Sequence, residues 1–415
     1  MLDEHGEVLA PTSSESEPER HAPLGFRQFV GIVGALMALN ALAIGILLPS
    51  LPDIADAFDL EDPNRAQTVI TAYLIGFGFG QLMMGVLSDR YGRRPILLAG
   101  IFVYGCAAMV CAFAPDMTTL LVARFAQGVG SAAPRVIALA AVRDCYGGRR
   151  MARIISLAVI IFMVVPVVAP SIGQLVLLAA SWQALFGFLV FAAFAIFLVC
   201  FRFLPETLPR QSRRAIRLDL ISEALRSMLG SRQTIGYMLS AGVFFGAFFG
   251  FVNSAQQVLG ETLGMGRWFP LVFAATASSI AISSFVNSRL VERLGMRTLG
   301  HWATLIFLAI ALAMLLLAIL GQLTAFVFLP LLTTSMLLVG IVFANFNALA
   351  MEPQQKVAGF ASSVVGAVTI LLGAGGGYLI GQAYDGTLFP LVIGFVLSGA
   401  GTTVLLLMTE RGKLF

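Results

Sequence analysis

Charge is scarce in this chain. Aspartate, glutamate, lysine and arginine together supply 12% of its 415 residues, about half the share found in a soluble globular domain. Hydrophobic residues supply 58%, and the mean hydropathy is +0.90. A soluble globule is excluded, and a polytopic α-helical membrane protein is expected. Histidine is nearly absent: His5, His21 and His301 are too scattered to assemble a metal site. There is no G-x-x-x-x-G-K-[ST] loop, which removes ATP-driven pumping from this chain, and no H-E-x-x-H. Acidic residues are missing from the middle of every apolar run, so no paired carboxylates are available inside a membrane. No cofactor, metal or enzymatic role is therefore expected. Cys106, Cys111 and Cys200 lie in apolar runs and Cys145 in a loop, which argues against a disulfide framework. The net charge of +4 comes from loop arginines and gives no reason to expect nucleic acid.

What is present is a series of twelve apolar runs, each long enough to span a bilayer. They fall at 29–48, 66–87, 96–113, 119–141, 154–178 and 184–204, then at 235–259, 269–290, 299–320, 325–349, 360–383 and 388–408. Residues 1–25, acidic and rich in Pro and Ser, read as a disordered tail without the basic-then-apolar start of a signal peptide. The widest break, 205–232, is basic and partly amphipathic. The expected domains are thus a six-helix bundle at 26–204, a central loop at 205–232, a second bundle at 233–409 and a short tail at 410–415. Of the 26 lysines and arginines, only Arg65 and Arg267 fall in loops on one side and only Arg124 and Arg135 within a span. The rest share the opposite side, which the positive-inside rule makes cytoplasmic, together with both termini.

The most informative stretch is 85–98, GVLSDRYGRRPILL, a tight charged elbow between the second and third runs. Gly92 allows the positive φ that a helix end often needs. Asp89 is the odd member, because a carboxylate at a helix C-terminus opposes the dipole and wants a cationic or helix-N-terminal partner. Asp89, Arg90, Gly92 and Arg94 recur as Glu292, Arg293, Gly295 and Arg297 at one constant offset, again between the second and third runs of their half. That recurrence points to duplication, with a site at the interface of two parallel repeats.

The ordered G-x-L-x-D-R-x-G-R-R, formed by Gly85, Asp89, Arg90, Gly92, Arg93 and Arg94, resembles the signature between the second and third helices of major facilitator superfamily transporters. There it braces the cytoplasmic gate. The segment LVARFAQGVG at 121–130 resembles that superfamily's fourth-helix motif, in which the position of Arg124 couples proton movement to substrate. Pro166, Pro170 and Gly173 in VVPVVAPSIGQ resemble the helix-bending motif of its drug-antiporter branch. With ALAIGILLPSLPDIA, AAPRVI, VRD and LPETL, the whole is similar to the bicyclomycin/chloramphenicol-resistance (Bcr/CflA) group of inner-membrane drug:proton antiporters. One departure stands out. The group carries an acid in the first span where this chain has Gly45, at about the depth of Arg124. The resemblance implies that an Asp there would pair with Arg124, so restoring it should strengthen pH-dependent exchange. Without it, coupling falls to Asp53 at the helix end, takes another form, or is lost.

These readings imply an all-α major facilitator fold, monomeric in a bacterial inner membrane, exporting hydrophobic small molecules by proton antiport with alternating access. The alternative is a metabolite or anion permease on the same fold with weak or no proton coupling. Arg124 and Arg135 lie eleven residues apart, which at about 100° each returns to nearly the same helix face about 16 Å further along. Arg135 is expected to face the central cavity and Arg124 the first span. Gln127, Asn40, Asp53, Tyr73, Asn253 and Gln257 complete the expected substrate and proton pathway, and Gln81, Gln174, Gln256, Asn345 and Asn347 are further polar candidates. At the gate, an elbow arginine should pair with Asp144 while Asp89 approaches the eleventh span near Gly359. Those contacts should hold the outward-open state and break as the protein cycles.

Overall fold

The computed structural model describes residues 24–213 and 218–414. Twelve helices in it are long and apolar enough to cross a membrane. The first six spans are Phe26–Gly45, Thr68–Tyr91, Arg93–Ala112, Met117–Cys145, Gly148–Leu177 and Gln183–Phe203. The second six are Arg232–Ala255, Phe269–Leu294, Met296–Ile319, Ala325–Met351, Ala358–Gln382 and Phe389–Thr409. Each covers most of one apolar run of the sequence, with ends that differ by a few residues, because only a helix satisfies its own backbone where water is absent. The expected 1–25 tail falls, but for its last two residues, outside the described residues.

Duplication is visible in the packing. Within the first six spans, the fourth packs on the second and third, the first on the fifth, and the third on the sixth. The tenth packs on the eighth and ninth, the seventh on the eleventh, and the ninth on the twelfth, which repeats every pairing. The two sets meet where the second span lies against the eleventh and the fifth against the eighth. Both elbows turn on a glycine with positive φ, +103° at Gly92 and +78° at Gly295, a conformation that a Cβ disfavours.

Helices in lipid gain little from burying apolar surface against one another, so close backbone approach matters more. The second and fourth spans are the tightest such pair. A Cβ on Gly128 would lie 2.1 Å from the Tyr73 carbonyl oxygen, and one on Gly76 would lie 2.0 Å from that of Phe125. Gly128→Ala should therefore push the two spans apart and destabilise the protein by about 1–3 kcal/mol. Gly105→Ala, whose added carbon would meet nothing nearer than 3.6 Å, should be close to neutral. Thermal unfolding in detergent distinguishes them, and equal melting temperatures would remove the backbone-contact explanation.

Candidate translocation site

The elbow is braced within its own half. Arg93 places Nη1 2.5 Å from Asp89 Oδ1 and Nε 3.0 Å from Asp144 Oδ2 at the end of the fourth span. It also donates to Ser88 Oγ at 2.8 Å. Arg94 donates to the Phe201 carbonyl at 2.6 Å, fastening the elbow to the sixth span. The main-chain N–H of Arg93, the first of the third span, donates to Glu206 Oε1 at 2.8 Å. Glu206 thus satisfies an otherwise unpaired helix-terminal donor and places negative charge at the positive end of the dipole. Sequence reasoning took the LPETL stretch only as part of a resemblance, and the role of Glu206 in it went unread. Arg90 lies over the Tyr91 ring, 5.4 Å from its centroid.

Between the halves lies a cavity of about 1470 Å³ that opens at the elbow face. Gln81 and Gly85 line it from the second span, Arg135 and Leu139 from the fourth, Phe343 and Asn347 from the tenth, and Thr369 and Ile370 from the eleventh. Asp89, Asp144, Glu223 and Glu352 stand around its wider end with Arg93 and Arg143. The second and eleventh spans run antiparallel, with Gly85 against Ser363 and Gly366 against Gln81. Their register carries Asp89 toward Gly359, and both line the cavity. The expected arginine–Asp144 pair is present, but it joins spans of one half and coexists with an open cavity. It is therefore a brace inside the first six spans, and its rupture is not needed for this face to open.

The opposite face is clasped by amides and hydroxyls. Asn64 donates to the Tyr384 carbonyl at 2.8 Å and receives Gln382 Nε2 on its own carbonyl at 2.7 Å. Gln257 donates to Asn64 Oδ1 at 2.7 Å and accepts from Gln67, while Asn253 donates to Thr71 at 3.4 Å. A π-helical turn at Gln256–Thr262 extends the seventh span beside this clasp. Gln257→Ala should shift the population toward an opening on this face. Cysteine labelling from that side would rise several-fold, and no change would mean that the clasp does not hold the closed state.

The residues expected along one pathway divide into three groups, with Asp53 apart from them. Arg135 and Gln81 line the cavity. Asn253 and Gln257 belong to the clasp, and Asp53 is exposed on the short helix Leu51–Ala57 that follows the first span. Arg124, Gln127, Asn40 and Tyr73 form a buried knot beside the cavity. There the Arg124 guanidinium donates to Val69 O at 3.1 Å, Gln127 Oε1 at 2.7 Å and Ala43 O at 3.2 Å, and its carbon sits 4.4 Å from the Tyr73 ring centroid. Asn40 donates to the Tyr73 hydroxyl at 3.0 Å and to Ser131 at 3.3 Å. Arg124 faces the first span as expected, yet among the described residues its hydrogen-bond acceptors are neutral oxygens. Three well-placed acceptors and an aromatic face offset much of the desolvation of a buried cation.

Gly45 does not offer a place for the missing acid. A Cβ there would lie 2.8 Å from Ala169 Cβ and 3.6 Å from Pro170 in the fifth span. One turn beyond, a Cβ on Gly173 would lie 2.2 Å from the Ile46 carbonyl oxygen. The outer ends of the first and fifth spans are thus interlocked through two glycines, and Pro166 and Pro170 belong to this packed segment within the continuous fifth span. The expectation that an Asp at position 45 would pair with Arg124 is corrected. Its Cβ would point into the fifth span, so Gly45→Asp should disturb packing before it alters coupling.

Twelve spans in two repeats around a central cavity, open at one face and closed at the other, define a membrane transporter. The description of the Major Facilitator Superfamily matches residues 33–378. The chain belongs to this superfamily. It is 33% identical over 352 residues to the "Uncharacterized MFS-type transporter YdgK" of Bacillus subtilis strain 168, covering 83% of this chain and 86% of that one. It is 30% identical over 372 residues to the "Bicyclomycin resistance protein homolog" of Haemophilus influenzae, covering 88% and 91%. It is 29% identical over 378 residues to the "Multidrug resistance protein MdtL" of Citrobacter koseri, covering 90% and 94%. The resemblance to the bicyclomycin-resistance group is therefore borne out. Among solved structures, the xylose transporter XylE from E. coli in a partially occluded inward-open conformation superposes with a TM-score of 0.72 at 13% identity, covering 93% of this chain and 97% of that one. At that identity the likeness concerns the fold.

Proposed function

We propose that this protein exports hydrophobic small molecules across the bacterial inner membrane by proton antiport with alternating access, as a monomer. In this reading both termini and the elbow face are cytoplasmic, and the present conformation opens inward. The bundles divide at 26–204 and 233–409, joined by the 205–232 loop, and rock about the seams of the second with the eleventh span and the fifth with the eighth. The observation that carries the reading is the cavity itself: apolar side chains such as Phe343, Leu139 and Ile370 share its wall with polar ones such as Gln81, Arg135, Asn347 and Thr369, a mixed lining that suits amphiphilic compounds. Relatives named for bicyclomycin and multidrug resistance support the same class. Asp89 would close the cytoplasmic face by meeting the N-terminus of the eleventh span near Gly359, where the helix dipole favours a carboxylate.

One observation favours the second reading, an anion or metabolite permease with weak coupling. Gly45 is packed against Ala169, and the membrane-embedded knot around Arg124 has neutral acceptors, so the proton carrier of the resembling group has no counterpart there. Everted vesicles test both readings. Accumulation of a lipophilic drug that collapses when ΔpH is dissipated supports antiport, and its loss in Asp53→Asn would place the carrier at the outer helix end. Accumulation indifferent to ΔpH supports the permease, and no accumulation of any lipophilic compound would refute drug export.

A further inference from the structure

Three polar side chains from separate elements meet at the elbow end of the second six spans, apart from the cavity. Tyr237 lies in the seventh span, His301 in the ninth, and Glu410 immediately beyond the twelfth. His301 is 1% exposed, and Phe346 of the tenth span packs against both the His301 and Tyr237 rings. After Glu410 the chain turns back, with Gly412 N–H donating to Leu407 O at 2.8 Å, and brings Leu414 to the histidine. The Tyr237 hydroxyl is 2.6 Å from Glu410 Oε1 and 3.0 Å from His301 Nε2. His301 Nδ1 is 2.7 Å from the Leu414 carbonyl oxygen.

Each of these contacts needs one proton between its heavy atoms. The Leu414 oxygen can only accept, so Nδ1 carries a proton. A neutral imidazole then has none on Nε2, and the single phenolic proton cannot serve both His301 and Glu410. Neutral histidine, phenol and carboxylate together bring two protons to three contacts, so the network as built holds one more. That proton sits either on Nε2, with Tyr237 donating to an ionised Glu410, or on Glu410, with the carboxyl donating to Tyr237 and Tyr237 to Nε2. Two short proton transfers through the Tyr237 oxygen interconvert these forms without moving a heavy atom.

We propose that His301, Tyr237 and Glu410 form a buried proton-binding site whose occupancy fastens residues 411–414 to the seventh and ninth spans. Release of the proton leaves three contacts with two hydrogens. The contact to Leu414 is the one that opens, because the other two join residues held in or directly against helices. Charged groups stand close to the site. Arg297 Nε lies 3.8 Å from Glu410 Oε1 and donates through Nη2 to Gln233. Gln233 in turn donates to Glu352 at 2.7 Å, and Arg232 donates to the Met408 carbonyl. The site stands independently of the compound transported.

The test uses the full chain in lipid nanodiscs. His5→Gln and His21→Gln leave His301 the only histidine, so its nitrogen signals are unambiguous. While residues 411–414 are docked, the expected spectrum is a doubly protonated ring, or a neutral ring with a protonated Glu410 carboxyl. As the pH is raised, the proton should leave and the 411–414 amides should lose protection. Above that transition, hydrogen exchange should accelerate by about tenfold per pH unit beyond the intrinsic rate. Glu410→Gln is the discriminating variant. Its amide supplies the third hydrogen, so a neutral histidine satisfies every contact, and the docked state should become independent of pH. A neutral ring with an ionised Glu410 while 411–414 stay docked would overturn the proposal. So would an unchanged pH dependence in Glu410→Gln.

Discussion

Arg124→Ala should remove most of the folded protein from the membrane, with transport falling in the same proportion. The guanidinium joins three helices: its own, the second through Val69 O and the first through Ala43 O. The Ala43 carbonyl lies in the last turn of the first span, where carbonyls lack intrahelical partners and the dipole is negative, so a cation there both satisfies and neutralises. Truncation removes these bonds, frees Gln127 and leaves a void beneath Tyr73. A loss of about 3 kcal/mol or more is expected. Arg124→Lys should rescue little, because one ammonium cannot reach acceptors arranged for a planar fork. Size-exclusion yield per cell, set beside transport per molecule, measures the outcome. Normal yield with lost pH dependence would instead support the coupling role that the family resemblance implies.

Arg135→Ala should do the opposite: keep yield and lower transport per molecule at least about tenfold, an effect of about 1.4 kcal/mol or more on the step it serves. Arg135 lines the open cavity, and its guanidinium lies 5.8 Å from the Phe77 ring centroid. A cation held in a low-dielectric wall acts strongly on whatever enters. The loss should be largest for anionic compounds, smaller for neutral ones, and partly restored by Arg135→Lys. Equal loss of protein and activity would make Arg135 structural.

These two arginines also mark how far the sequence could be read. Apolar runs of membrane length and a repeated glycine elbow gave the twelve spans and the duplication, because both depend on composition and spacing. Helical phase put both arginines on nearly one face of the fourth span, and the family resemblance turned Arg124 toward the first span. What phase could not supply was the partner of Arg124, since Ala43 O and Val69 O are backbone atoms that any residue would provide. Gly45 misled for a related reason: its depth matched Arg124, but its direction is set by Ala169 and Gly173 more than a hundred residues away. Asn64, Gln67, Gln382 and Tyr384 gave no signal, because polar residues at span ends are ordinary until the fold brings them together. An elbow arginine was expected at Asp144 and Arg93 is the one that meets it, but which half each span belongs to decided what that bond can do.

The clasp opposite the elbow face carries a consequence for energetics across the bilayer. Asn64, Gln67, Gln257, Gln382 and Tyr384 hold that side shut through amide and hydroxyl groups without formal charge. A unit charge crossing the whole membrane field exchanges about 2.3 kcal/mol per 100 mV, but parting neutral dipoles exchanges almost none. Parting these five groups is thus electrically silent. Membrane voltage then acts on turnover chiefly through the charge of the cargo, any co-transported proton, and the fraction of the field that falls across Arg135. Current recorded during exchange of a neutral compound would read proton movement directly, uncontaminated by the gate.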